Sequence, residues 1–119
     1  MIIIEGKAGK SVALEKLINN QIKNTSIVIL DIVNVPNCNF KEGVTHLIIE
    51  NTSMESLVKI FEEAYQEHFI KYDWIAFEVN VNILDYNLNW FKELDRKYPQ
   101  NFIITVQNDS LEEVQVKYA

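Results

Sequence analysis

Four stretches of this chain are apolar almost without interruption: "IVILDIV" from Ile27, "THLIIE" from Thr45 to Glu50, "YDWIAFEVN" around Trp74, and "NFIITVQ" ending at Gln107. A strand with one wet face alternates apolar and polar residues, because successive side chains point to opposite sides. These runs do not alternate and are rich in β-branched residues. They therefore read as strands of a mainly parallel sheet, buried on both faces.

Segments with helical spacing lie between the runs. A first strand covers Ile2 to Glu5, and after a glycine loop Val12, Leu14, Leu17, Ile18 and Ile22 fall on one helical face, until Thr25-Ser26 breaks it. A polar loop with Pro36 runs from Asn34 to Gly43. Ser53 opens a second helix, with Leu57, Val58, Phe61, Ala64 and Tyr65 inward and Glu62, Glu63 and Gln66 outward. The third helix, "ILDYNLNWFKELDRKY", buries Leu84, Leu88, Phe91, Leu94 and Tyr98 and is stopped by Pro99. The tail turns at Asn108-Asp109-Ser110, and the alternation of Val114, Val116 and Tyr118 predicts a short antiparallel strand returning along the fifth. A helix from Ser110 with a capping box to Glu113 is the competing reading.

The pattern predicts a single α/β domain over residues 1–119, three layers deep. Its sheet is mainly parallel and five-stranded, with the short C-terminal strand added. With 119 residues and 48% hydrophobic content, the chain can bury one core. Only three glycines and two prolines occur, so no linker divides it.

Charge narrows the function classes. A net charge of −6 and a pI near 4.9 argue against a sequence-independent nucleic-acid binder, which needs a basic face. Cys38 is the only cysteine, so no intramolecular disulfide forms and a reducing, cytoplasmic setting is expected. No apolar run approaches the length of a membrane span, and Met1 to Ile4 is too short for a signal-peptide core.

The first strand leads through "EGKAGKS" into the first helix. Gly9-Lys10-Ser11 matches the end of the pattern G-x-x-x-x-G-K-[ST]. In that loop, backbone N–H groups face phosphates, the lysine reaches their oxygens, and the hydroxyl holds Mg²⁺. The pattern's first glycine would fall at Ile4; Gly6 comes two positions late. The region thus resembles the P-loop NTPases with two loop residues missing. The resemblance implies phosphate binding by Gly6, Lys7, Ala8, Gly9, Lys10 and Ser11, with Ser11 as ligand of a Mg²⁺ that accompanies ATP or GTP. The alternative is a tight turn that merely uses two glycines, with Ser11 as a helix cap.

Four apolar runs end in an acid: Glu5, Asp31, Glu50 and Glu78. Parallel strands would put all four on the carboxyl edge of the sheet, with Lys10. P-loop NTPases place a metal-orienting acid after four apolar positions on a strand beside the P-loop strand, and Asp31 and Glu78 both fit. A comparison with nucleotide kinases favours Asp31. In the RecA-like branch a later strand carries the acid and the next ends in a γ-phosphate sensor, which implies Glu78 as acid or base and Gln107 as sensor. The bland reading is that strands end in charge where solvent begins.

His46 and His68 stand far apart, and one cysteine gives no zinc spacing. Trp74, Trp90 and the other aromatics sit at core periodicity. Two functions fit. One is a small P-loop-like protein that binds a nucleotide or phosphate, with weak NTPase activity. The other is a non-catalytic interaction or regulatory domain on the same fold, acting on a protein partner or as a homo-oligomer.

Overall fold

A computed structural model describes residues 1–23, 26–34, 38–82 and 89–118. Among these residues six strands form one sheet: β1 (Ile2–Gly6), β2 (Ile27–Asp31), β3 (Thr45–Ile48), β4 (Trp74–Asn82), β5 (Asn101–Gln107) and β6 (Gln115–Tyr118). Their order is β3-β2-β4-β5-β1-β6, with every neighbouring pair parallel except β1 and β6. The sheet thus has six strands rather than five. The C-terminal strand is antiparallel, as expected, but it returns along β1, not β5. Asn108–Ser110 is a turn and not a helix start: the Asn108 Oδ1 accepts from the Ser110 N–H at 3.2 Å and from its hydroxyl at 2.6 Å.

Among the described residues three α-helices pack on the sheet: α1 (Lys10–Lys16), α2 (Met54–Ala64) and α3 (Asn89–Lys97). Single π-helical turns extend α1 through Leu17–Gln21 and α2 through Tyr65–Phe69. Ser53 caps α2, its Oγ accepting from the Ser56 N–H at 3.1 Å. The expected third-helix start, including Leu84 and Leu88, lies outside the described residues, as do Thr25 and Pro36.

Strand alternation explains the layers. Ile2, Ile4, Ile27, Ile29, Ala76 and Ile103 point to one face and pack with Leu14, Leu17, Ile18 and Ile22 of the first helix. Ile3, Val28, Leu30, Ile75, Phe77, Phe102 and Ile104 point to the other and meet α2 and α3. Phe61 is the hub of that second layer, with ring contacts to Tyr65, Phe69, Phe77, Tyr98 and Phe102.

Two burial expectations fail. The β3 run is no doubly covered strand: it is the outer strand of the sheet, and Leu47 and Ile48 are exposed. Val12 does not join the buried stripe of α1 but is 53% exposed. It lies two residues before Leu14, about 200° around the helix from it.

Candidate functional site

Gly6 ends β1 and Lys10 begins α1, so only Lys7, Ala8 and Gly9 join strand to helix. Such a short link needs a left-handed residue, and Gly9 supplies it with φ +81°. Gly6 suits its place for a different reason. A Cβ there would stand 3.0 Å from the Val114 Cγ2 and 3.2 Å from its Cα. Ser11 is not the cap of α1; Gly9 holds that position without a side-chain bond, and the Ser11 hydroxyl instead hydrogen-bonds the Glu78 carboxyl.

The loop opens on a cleft of about 380 Å³. Lys7, Gly9, Lys10 and Ser11 line it on the loop side, Glu78 and Gln107 on the sheet side, with Val12 and Val33 as apolar flanks. Of the candidate residues, the structure therefore brings together Lys7, Gly9, Lys10, Ser11, Glu78 and Gln107. The exposed Ala8 does not line this cleft, and Gly6 contributes its carbonyl from beneath.

Lys10 is buried, at 7% exposure. Its Nζ donates to the Gly6 carbonyl at 3.3 Å and to the Gln107 Oε1 at 2.5 Å. Burial lowers the ammonium's pKa from its usual 10.5, while the charges of Glu78 and Asp109 act to hold it up.

Glu78 is 4% exposed and sits where β4 departs from its ladder with β5. Between the Phe77–Ile104 and Val81–Val106 pairs, β4 carries three residues and β5 only Thr105. The Thr105 hydroxyl fills the gap, accepting from the Val79 N–H at 3.1 Å and donating to the Glu78 Oε1 at 3.1 Å. Burial pushes the Glu78 carboxyl up to about 7, and the neighbouring charge of Asp31 adds to this. The Thr105 and Ser11 hydroxyls and Lys10 pull the other way. A carboxyl poised near neutrality can take or give a proton at working pH.

The other acids do not converge here. Asp31 stands opposite Glu78 in the ladder, but it is spent on the chain itself. Its Oδ1 accepts from the Val33 and Asn34 N–H groups, both at 2.9 Å, and its Oδ2 lies 2.8 Å from the His46 Nε2. Glu5 alternates with Ile4 to the opposite face, where it pairs with Lys117. Glu50 is exposed beyond the end of β3. Neither β2 nor β4 borders β1; β5 and β6 do. The acid strand is thus not beside the loop strand, and Gln107 at the end of β5 stands between Lys10 and Glu78.

Three contributors were not read from the sequence. Thr105 is the one polar residue inside "FIITV", a visible signal. Asp109 accepts from the Gln107 Nε2 at 2.6 Å, and the His46 Nε2 lies 2.8 Å from the Asp31 Oδ2; turn and strand positions gave no hint of either. Among the described residues, no helix is long and apolar enough to cross a membrane, and no group of three His, Cys, Asp or Glu side chains could hold a metal.

A larger hollow of about 630 Å³ lies by Met1 at the opposite end of β1, walled by Lys92, Asp95 and Arg96 of α3. Two ion pairs already occupy its wall, Met1 amine to Asp95 and Arg96 to Glu93. The Lys10 cleft is the more reactive place, since it joins a buried cation, a hydroxyl and a carboxyl near neutrality. Comparison of the chain with protein families, curated proteins and solved structures finds no match.

Proposed function

We propose that this chain is a P-loop-like domain that binds the phosphate groups of a nucleotide in the Lys10 cleft. The observation that carries the reading is the convergence on one cleft of Lys10, Ser11, Glu78 and Gln107, drawn from α1, β4 and β5. The Lys10 ammonium and the loop backbone hold phosphate oxygens. The cleft favours the RecA-like comparison over the nucleotide-kinase one, because Glu78 lines it and Gln107 touches Lys10, whereas the oxygens of Asp31 are engaged elsewhere.

Mg²⁺ fits the donor set: the Ser11 hydroxyl and the Glu78 carboxyl are hard oxygen ligands in mutual contact. This ion commonly takes one or two protein carboxylates and completes its shell with phosphate and water. When bound, it would neutralise charge on the phosphates. Glu78 also suits a general base that accepts the proton of an attacking water. Turnover by the isolated chain is slow in this reading. Arg96, the single arginine, is paired with Glu93 on the far face of the sheet and supplies no arginine to the phosphates.

A second reading, a protein-interaction domain, draws on the outer strand β3, where Leu47 and Ile48 are exposed. Calorimetric titration with ATP, GTP and a non-hydrolysable analogue, with and without Mg²⁺, separates the two. The first reading predicts Mg²⁺-dependent binding that weakens by roughly ten- to a hundredfold in Lys10→Ala, the loss of one charge-assisted hydrogen-bond donor. Silence at millimolar nucleotide, with both proteins folded, would contradict it and favour the interaction domain.

A further inference from the structure

Both amide protons of Gln107 and its carbonyl oxygen have partners. Its Nε2 donates to the Lys7 carbonyl at 3.0 Å and to the Asp109 Oδ1 at 2.6 Å, while its Oε1 faces the Lys10 ammonium. An amide nitrogen has two protons, and two acceptors take both. The reverse orientation would set the amide oxygen against two oxygens and the NH₂ against a cation. The carboxamide is therefore locked with its oxygen on the lysine. Lys10 in turn spends two of its three protons internally, on Gly6 and Gln107.

A phosphate oxygen that approached Lys10 would meet an acceptor already in place. We infer that Asp109 is a positioning residue that gates this site: by fixing the Gln107 carboxamide it keeps an internal acceptor on Lys10, which competes with an entering phosphate for the ammonium. The inference rests on the phosphate-binding reading above and deepens it. Asp109 itself is exposed, so solvent screens the support its charge gives the Lys10 ammonium, and the bond to Gln107 is the more direct influence.

The charge and the bond can be separated. In Asp109→Asn the side-chain oxygen still accepts from Gln107 and only the charge is lost; in Asp109→Ala both are lost. Inorganic tripolyphosphate serves as the probe, titrated at physiological salt. Asp109→Ala is expected to bind about tenfold tighter than the parent protein, the equivalent of one charge-assisted hydrogen bond, and Asp109→Asn within about threefold of it.

The Gln107 side-chain NH₂ resonances give an independent readout. They should move when tripolyphosphate is added to the parent protein, and should already be displaced in ligand-free Asp109→Ala. Equal tightening in the two variants would assign the effect to charge and overturn the gate. So would unchanged or weaker binding by Asp109→Ala, or Gln107 resonances that stay the same in that variant. If the parent protein and both variants all ignore tripolyphosphate, the phosphate reading itself fails, and the gate with it.

Discussion

A buried lysine beside a buried glutamate sets the chemistry of this chain at the scale of single residues. Burial disfavours both charges, lowering the Lys10 pKa and raising that of Glu78 to about 7. The raised carboxyl has a consequence for stability. Between the ordinary value of 4.5 and about 7 the folded state holds a proton that the unfolded state has lost. Stability from this group is therefore full below about pH 4.5 and declines as pH rises toward 7, by about 3 kcal/mol at most. Glu78→Gln mimics the protonated carboxyl and cannot ionise. Urea denaturation should find it close to the parent protein at pH 5 and more stable at pH 8. A parent protein no less stable at pH 8 than Glu78→Gln would show that Glu78 titrates normally. Residue identity alone could not rank Asp31 against Glu78, since both end an apolar run. The ranking came from which carboxyl the turn at Val33–Asn34 and His46 consume.

At the scale of elements, the short loop depends on β6. Val114, just before that strand, lies against Gly6 and Gly9, and Lys117 within it pairs with Glu5. Gly6→Ala would push a methyl into both the side chain and the backbone of Val114. Overpacking of this kind typically costs 1–3 kcal/mol, so a loss of about 2 kcal/mol is expected. Hydrogen exchange should locate the loosening in Gln115–Tyr118, the strand that must move. Uniform protection in β6 would mean that the methyl is absorbed elsewhere. Most elements were legible from the sequence because periodicity is local: "IVILD" and "NFIITVQ" are β2 and β5, and the Ser53 cap starts α2 where expected. Pairing was not legible. That β6 joins β1, and that β5 separates β1 from β4, depends on long-range packing to which no local pattern refers. An apolar run also looks the same in an outer strand as in an inner one, which is why Leu47 and Ile48 were expected to be buried.

For the whole molecule, the net charge of −6 says little about a cleft in which two lysines meet one buried acid. The parallel order of β1, β5 and β4 puts their carboxyl ends on one edge, and that edge is where open α/β sheets bind ligands. The opposite candidate surface, β3, lies four strand positions away from β1 in the same sheet. A single experiment can therefore report on both ends at once: backbone amide NMR of the ¹⁵N-labelled protein, titrated with Mg²⁺ and a non-hydrolysable ATP analogue. Phosphate binding in the Lys10 cleft predicts shifts concentrated at Lys7–Ser11, Glu78 and Gln107–Asp109, with Leu47 and Ile48 unmoved. A spectrum unchanged at millimolar analogue, or one whose shifts centre on β3, would contradict it.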